Sequence, residues 1–200
     1  MTDATRIIQL YERHASAWIA ARGTGLFCEA AWLTRVTDLI PAGSRVLDLG
    51  CGAGAPIAAH LIQRGYAITG VDTSPTLVRH CRSHFPEQAW LVQDMRTLAL
   101  DDRFHAILAW DSFFHLTADD QRRMFPIFAR HAGEGAALLF NTGPAHGEAI
   151  GAWQGEPLYH ASLDGAEYRA LLHENGFEVV DHAVADDRAG GRTVWLAVLR

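Results

Sequence analysis

A glycine-rich loop followed by a distant acidic residue is the feature of this sequence best suited to binding a nucleotide. The apolar run Arg45–Leu49 leads into Gly50, Gly52 and Gly54, and the next apolar run ends at Asp72. Glycine lets the backbone turn sharply and lets a ligand approach where a Cβ atom would collide. A carboxylate after the second strand can accept hydrogen bonds from ribose hydroxyls. The pattern predicts one nucleotide-binding half of an open α/β sheet.

Strand and helix patterns alternate along most of the chain. Ser74, Thr117 and Asp164 have the residue types of helix N-caps, and two further helices are indicated before residue 42. The order of elements predicts an α/β fold, a Rossmann-like three-layer α/β/α arrangement with a mostly parallel seven-stranded sheet and an antiparallel terminal strand. Short apolar runs predict the strands at residues 45–49, 67–71, 89–92, 105–110, 136–140, 177–184 and 193–198.

The stretch Thr142–Leu163 interrupts this alternation. It is rich in glycine, and no regular strand or helix pattern is evident in it, so we expect a long loop. Loops of this length inside a compact domain are uncommon and tend to be functional. Trp153 and Tyr159 lie within it and argue against disorder. We predict that the chain, residues 1–200, forms one domain in which residues 142–163 lie on the substrate side.

Composition and charge narrow the classes of partner. The net charge is −6 and 49% of the residues are hydrophobic. No cluster of lysine and arginine is present, so we expect no nucleic-acid partner. No secretory leader and no apolar run of about 18 residues is visible, so we expect no membrane partner. Cys28, Cys51 and Cys81 are odd in number and far apart, which favours a reducing compartment, and we expect a cytoplasmic protein. The oligomeric state is not indicated.

Four segments together resemble the motifs of the class I S-adenosylmethionine (SAM)-dependent methyltransferases. They are Val46–Gly54 (VLDLGCGAG), Gly70–Ser74 (GVDTS), Gln93–Met95 (QDM) and Ala109–Leu116 (AWDSFFHL). Their order and spacing make the resemblance specific, and it covers nearly the whole chain. The resemblance implies a seven-stranded sheet whose last strand is antiparallel, in agreement with the fold predicted above.

The resemblance implies a site for SAM, or for its product S-adenosylhomocysteine, beyond the carboxyl ends of the strands. Asp48 would orient the amino-acid part of the cofactor, and Asp72 would hold the ribose hydroxyls. Asp94 would accept a hydrogen bond from the adenine amino group, and Trp110 would offer its backbone carbonyl to the ammonium group. The full set of expected cofactor-binding residues is Asp48, Gly50, Cys51, Gly52, Gly54, Asp72, Thr73, Asp94, Met95 and Trp110.

The same resemblance implies a helical lid over the cofactor, formed by residues 1–42. Tyr11 and Arg22 are candidate lid residues, and Tyr11 is also a candidate for the substrate side. Trp153 and Tyr159 are expected either to shape an acceptor pocket or to pack the loop itself. A pocket with apolar walls and a few polar groups suits a small molecule.

Three histidines are candidates for a general base. Alignment of acceptor and methyl group is the main requirement of this chemistry, and a base is needed only if the acceptor carries a proton. An imidazole titrates near neutrality, which makes His115, His146 and His160 candidate catalytic residues. His80 and His84 are spaced to share a helix face, but a third ligand is not identifiable, and we expect no metal site.

The expected function is transfer of a methyl group from SAM to a small-molecule acceptor at oxygen, nitrogen, carbon or sulfur. One alternative is a SAM-binding regulatory module without turnover. A second is transfer of another group from a related cofactor, because cofactor motifs report binding and not the acceptor. A nicotinamide cofactor is disfavoured, because its loop fingerprint is GxGxxG and Ala55 follows Gly54 here.

Overall fold

The computed structural model describes residues 3–23 and 25–200, which form a three-layer arrangement of nine strands and seven helices. The central sheet contains β1 (Arg45–Leu49), β2 (Ala67–Asp72), β3 (Ala89–Val92), β4 (Phe104–Ala109), β5 (Ala132–Thr142), β8 (Phe177–Asp186) and β9 (Arg192–Leu199). A separate hairpin contains β6 (Gly147–Trp153) and β7 (Glu156–Ser162). The helices are α1 (Asp3–Arg13), α2 (Ala15–Arg22), α3 (Ala30–Leu39), α4 (Ile57–Gln63), α5 (Pro75–His84), α6 (Ala118–His131) and α7 (Gly165–Glu174).

The strand order of the central sheet is β3-β2-β1-β4-β5-β9-β8. Strands β1 to β5 pair in parallel, whereas β9 is antiparallel to both β5 and β8. The predicted fold class and the antiparallel terminal strand are therefore confirmed. The order reverses between β1 and β4, which makes their carboxyl ends the topological switch point where ligands bind in such sheets.

Successive side chains of each central strand contribute to two different hydrophobic layers. In β1, Val46 faces the layer that contains α3, α4 and α5, and Leu47 faces the layer that contains α6 and α7. Both side chains are fully buried. Because side chains alternate across a strand and both faces are covered, the strands read as nearly continuous apolar runs. This is the physical reason why the short apolar runs identified the strands.

The layer under α6 and α7 is built from aromatic rings. Phe113, Phe125, Phe128 and Phe140 are all fully buried, with ring centroids 5.1–6.4 Å apart. Burial of one such side chain contributes about 1.5–3 kcal/mol, and aromatic pairs add about 0.5–1.5 kcal/mol. The segment that follows β4 is thereby held rigidly against the core.

The prediction of a long loop at Thr142–Leu163 is wrong. Residues 147–162 form the β6–β7 hairpin, joined at Gln154 and Gly155, which have φ angles of 51° and 78°. Two successive positive φ angles are those of a tight turn whose twist matches antiparallel strands. The strand pattern was missed because β6 is largely exposed and consists mainly of glycine and alanine.

The N-terminal region contains three helices where two were predicted. The apolar spacing that runs through Tyr11 and Trp18 belongs to α1 and α2, which are separated at His14. Helix α3 lies within residues 1–42, which were expected to form a lid over the cofactor. It packs into the core instead, because its Trp32, Leu33 and Val36 side chains are buried there.

The predicted N-caps are confirmed. The Ser74 hydroxyl accepts a hydrogen bond from the Leu77 amide, and the Thr117 hydroxyl accepts one from the Asp120 amide. Asp164 accepts from the Ala166 amide at the start of α7. Across residues 3–23 and 25–200, the helices are all too short or too polar to cross a lipid bilayer.

Replacement of Gly70 by alanine tests how tightly β2 is packed. A Cβ atom there would lie 2.3 Å from the ring of Trp90, which is 3% exposed. We expect Gly70→Ala to lower the free energy of unfolding by about 2 kcal/mol, because an overpacked core side chain must shift. Urea unfolding measures this loss. Gly25→Ala is the control, since a Cβ atom there meets nothing within 4 Å. Equal stability of the two variants would contradict this account of the packing.

Candidate active site

Two adjacent hollows lie at the carboxyl ends of β1, β2 and β4. The larger, called the large cleft, has a volume of about 220 Å³ and is covered by α1. The smaller, called the small cavity, has a volume of about 30 Å³. Trp18, Gly50, Gly52 and Asp111 line both hollows. The two hollows therefore lie side by side at the topological switch point.

The glycine loop has little room for side chains. Gly50 has a φ angle of 74°, and a Cβ atom there would lie 2.3 Å from the Cβ atom of Ser112. Gly52 has a φ angle of 56°, and its Cβ atom would lie 3.0 Å from Nε1 of Trp18. Both positions require glycine for conformation as well as for space. Gly54 lines neither hollow and instead packs against Cys81 and Trp90.

Asp72 lies on the wall of the large cleft, held in place by the backbone. Its carboxylate accepts hydrogen bonds from the amides of Gly52, at 3.0 Å, and Ser74, at 2.8 Å. Burial raises the pKa of this carboxyl, and the backbone hydrogen bonds oppose that rise. Thr73 also lines the cleft. The two amides hold the carboxylate in one orientation toward the cleft.

Asp94 and Met95 line the same cleft, next to an arginine that the sequence did not single out. Nε of Arg96 lies 3.0 Å from each carboxylate oxygen of Asp94, and Nη1 lies 3.1 Å from Asp120. Burial alone would raise the pKa of Asp94, but the Arg96 hydrogen bonds and charge lower it below its ordinary value. A ligand that donates to Asp94 must therefore share the carboxylate with Arg96.

The small cavity contains a buried carboxyl and an arginine. Asp48 is 4% exposed, and burial raises its pKa to about 7, with a further rise from Asp72 and an opposing effect of Arg22. Trp110 lines the cavity, and its buried indole Nε1 has no hydrogen-bond partner within the described residues. Cys51 also lines it, and a hydrogen bond with Cys81 together with burial raises the pKa of the Cys51 thiol. A raised pKa keeps that thiol protonated at neutral pH, the state in which a cysteine is least reactive.

A network of buried charges behind the site was not predicted. Asp111 has a φ angle of 51° and accepts hydrogen bonds from Arg192 and Asn141. Arg22 lies against the same carboxylate and donates to Glu29, which is 2% exposed. No sequence signal marks Arg192 or Glu29, because their partners are distant along the chain.

His115 is held in a defined protonation state. Its Nδ1 lies 2.8 Å from the backbone carbonyl of Tyr159, and its Nε2 lies 2.9 Å from the hydroxyl of Tyr11. A carbonyl can only accept, so Nδ1 carries the proton and Nε2 accepts from the Tyr11 hydroxyl. Burial lowers the pKa of His115 to about 4. Both His115 and Tyr11 line the large cleft.

The other two candidate histidines are placed differently. The ring of His160 stacks on that of His115 with centroids 5.0 Å apart, and burial lowers its pKa. His160 is thus a neighbour of the cleft wall. His146 is exposed and lines neither hollow. The structure therefore brings His115 and His160 together and leaves His146 apart.

The aromatic residues expected on the substrate side belong to the hairpin and α1. Trp153 contacts Trp18 edge-on, with ring centroids 5.7 Å apart, and Trp18 contacts Tyr11 in the same way at 5.3 Å. Tyr159 is buried, and its hydroxyl donates to Glu148 at 2.7 Å. Tyr11 lines the large cleft directly, whereas Trp153 and Tyr159 stand behind its wall.

The residues present fit SAM in charge. The large cleft offers Asp72 to a sugar and Asp94 to a base, at the ends of neighbouring strands. The small cavity offers a cation, Arg22, and a carboxyl, Asp48, which complement the carboxylate and ammonium groups of an amino acid.

Comparison with known sequences agrees with this geometry. Residues 46–135 match a family model described as a methyltransferase domain. The ubiquinone biosynthesis O-methyltransferase of Coxiella burnetii is 32% identical over 105 residues, which cover 50% of this chain and 44% of that protein. The chain thus spans less than half the length of this relative. An O-methyltransferase of Aspergillus nomiae is 25% identical over 160 residues, 74% of this chain and 70% of that protein.

Comparison with solved structures extends the likeness to the whole chain. The magnesium protoporphyrin IX methyltransferase of Synechocystis, with bound S-adenosylhomocysteine, superposes with a TM-score of 0.75 at 19% identity and full coverage of both chains. The fold is that of the class I SAM-dependent methyltransferases. The match to the methyltransferase-domain model covers residues 46–135, just under half of the chain, and the structural likeness extends the shared fold to the remainder.

The protonation state of His115 predicts a specific pH dependence of stability. Burial lowers its pKa from 6.5 to about 4, so between these values the unfolded chain binds a proton that the folded protein does not. Stability is therefore lost as the pH falls from 6.5 to 4, by about 3 kcal/mol for this residue. We expect His115→Gln to lose less stability than the wild type over this range in urea unfolding.

The control for this comparison is His173→Gln, since His173 is exposed on α7. Its pH profile should follow that of the wild type. Asp48, with its raised pKa, acts with the opposite sign and is common to all three proteins. Parallel curves for His115→Gln and the wild type would show that His115 titrates normally.

Proposed function

We propose that this protein is a methyltransferase that moves a methyl group from SAM to a small-molecule acceptor. The observation that carries the proposal is the pair of adjacent hollows that share Gly50, with Asp72 lining the large cleft and Arg22 and Asp48 lining the small cavity. The groups that would bind adenosine are thus separated from those that would bind the amino-acid part, as the two parts are separated in SAM. Bound SAM would supply an activated methyl group on sulfur. The family match of residues 46–135 gives independent support.

The roles of the cofactor-side residues follow from their positions. Asp72, fixed by two amides, would accept from the ribose hydroxyls, and Asp94 from the adenine amino group beside Met95. In the small cavity, Arg22 would bind the carboxylate. The ammonium group would lie near Asp48 and the backbone carbonyl of Trp110. Burial of a charged group in this cavity costs less free energy when a ligand group of opposite charge binds beside it.

On the acceptor side, Tyr11 and His115 form a pair that can remove a proton. The unprotonated Nε2 of His115 accepts from the Tyr11 hydroxyl, which faces the cleft. An acceptor hydroxyl that donates to Tyr11 could pass its proton through the phenol to Nε2. Because burial lowers the pKa of His115 to about 4, the imidazole is unprotonated throughout the neutral range but is a weak base, so the proton would have to move in concert with methyl transfer. His160 would support this ring from behind.

The elements around the site support a small acceptor. We propose a single domain in which α1 and α2 act as a lid and the β6–β7 hairpin forms the substrate side. The roomy cleft beside His115 favours turnover over a binding module without turnover. The relatives named above include a ubiquinone biosynthesis O-methyltransferase and a protoporphyrin methyltransferase, which suggests a small organic acceptor here also. Three buried free thiols favour a reducing compartment, and we propose the cytoplasm.

Binding of S-adenosylhomocysteine tests the cofactor assignment. Asp72→Ala should weaken binding at least about 30-fold, because two hydrogen bonds to a carboxylate are lost. Calorimetric titration measures the affinity, with NAD as the comparison ligand. Asp102→Ala is the control, because Asp102 is an exposed partner of Arg45. An unchanged affinity of Asp72→Ala would refute the ribose assignment. A preference of the wild type for NAD would refute the proposed function.

Tyr11→Phe tests the acceptor side. We expect kcat to fall about 100-fold with an acceptor drawn from a panel of small phenols, amines and thiols, because the path to His115 is cut. The affinity for S-adenosylhomocysteine should change less than about threefold. Transfer of label from methyl-labelled SAM measures turnover. Tyr66→Phe, in the core, is the control and should keep full activity. Full activity of Tyr11→Phe would rule out the relay.

A further inference from the structure

Arg192 lies at the start of β9, far along the chain from the motifs that bind the cofactor. Its Nε lies 2.6 Å from one oxygen of Asp111, and its Nη2 lies 2.8 Å from the other. Its Nη1 donates to the carbonyl of Ala189 at 2.9 Å and contacts the sulfur of Cys28 at 3.2 Å. The guanidinium is thus fixed on both sides and forks both oxygens of one carboxylate.

Asp111 is held in place from a second direction. The Asn141 amide donates to the Asp111 carboxylate at 2.8 Å, and the Asp111 backbone amide donates to the Asn141 side chain at 2.8 Å. With Arg192, this leaves the carboxylate with three hydrogen bonds in one orientation. The side chain is 11% exposed, so its charge is poorly screened by water.

Arg22 is next to this carboxylate but is not hydrogen-bonded to it. Its Nη1 lies 3.5 Å from Asp111, whereas its Nη2 donates to Glu29 at 2.8 Å. Its guanidinium also lies 5.6 Å from the ring centroid of Trp18. These contacts keep Arg22 at the wall of the small cavity. The charges here are balanced, with two arginines facing two carboxylates.

Loss of Arg192 would leave one carboxylate, Asp111, without its cation. Asp111 would keep its charge but lose its bidentate partner, and the nearest remaining cation is Arg22. In a poorly hydrated site an unpaired carboxylate is costly, so Asp111 and Arg22 would close the 3.5 Å gap and pair directly. Arg22 would then be held by two carboxylates, Glu29 and Asp111, and drawn away from a ligand in the small cavity.

We propose that Arg192 is a positioning residue for recognition of the carboxylate of the cofactor's amino-acid part. By occupying Asp111, it leaves the guanidinium of Arg22 available in the small cavity. This inference rests on the proposed function and adds a determinant from the last strand of the sheet. It predicts that Arg192 matters for ligands with a free carboxylate and not for adenosine recognition, which takes place in the large cleft.

Two ligands separate this role from a general effect on the fold. S-adenosylhomocysteine carries the amino-acid group, whereas 5′-methylthioadenosine has the same adenosine and a thioether without it. For Arg192→Met, we expect the affinity for S-adenosylhomocysteine to fall about tenfold or more. The affinity for 5′-methylthioadenosine should stay within about twofold, which also shows that the variant is folded. Calorimetric titration measures both.

A matched control lies four residues away. Arg188 makes the same bidentate pair with Asp186, with both distances 3.0 Å, but it is exposed and outside both hollows. Arg188→Met should bind both ligands as the wild type does. A loss common to both arginine variants would point to a general effect of the β8–β9 connection and overturn the proposal.

The double variant Asp111→Asn with Arg192→Met provides the decisive comparison. The asparagine has no charge, so it does not compete with the carboxylate of the ligand for Arg22. We therefore expect the affinity for S-adenosylhomocysteine to return to within about threefold of the wild type. Asparagine tolerates the positive φ angle at this position. A double variant as weak as Arg192→Met, or an equal loss of both ligands, overturns the inference. Failure of the wild type to bind S-adenosylhomocysteine would instead overturn the proposed function.

Discussion

The site depends on the close contact between the glycine loop after β1 and the turn after β4. Gly50 lies so near Ser112 that a Cβ atom would overlap it at 2.3 Å, and the Ser112 hydroxyl donates to the Leu49 carbonyl at 2.7 Å. The two segments come from adjacent parallel strands that diverge at the switch point. Their contact forms the floor between the large cleft and the small cavity. It also sets the position of Asp111 beside Ser112.

Buried charges are tolerated around this contact because most of them are paired. Asp111 is matched by Arg192, and Glu29 is matched by Arg22. Asp48 has no comparable bidentate partner, and burial raises its pKa to about 7. Burial of a carboxyl in this way costs stability in the free protein. Sites that bind charged ligands commonly contain such groups, since the ligand supplies the missing opposite charge.

The cover of the site is attached to the domain by polar contacts at the C-terminal end of α1. Glu12 accepts a hydrogen bond from the Thr76 hydroxyl at 2.7 Å, at the start of α5. At the same end, Glu156 of the hairpin pairs with Arg13 and with His14, the latter at 2.6 Å. The hairpin in turn offers the Tyr159 carbonyl to His115. The protonation state of one cleft residue therefore depends on an element that packs against α1.

Local patterns in the sequence were enough to identify most of the fold. Apolar runs located the strands in the centre of the sheet, because β1, β4, β5 and β9 are buried along most of their length and are apolar there. Ser74, Thr117 and Asp164 marked helix starts, because a cap acts on amides two or three residues away. The hairpin escaped detection, because strand β6 buries too little to need an apolar pattern.

Local sequence patterns likewise identified one part of the site and missed another. The amino-acid sequence by itself determined the sheet and singled out acidic residues at strand ends that line the two hollows, such as Asp48 and Asp72. The tertiary structure decided which distant groups meet there. Arg192 reaches Asp111 across 81 positions of the chain, and Tyr159 reaches His115 across 44. Spacing along a chain specifies which face of a helix or strand a residue occupies, but pairing between elements depends on how those elements pack.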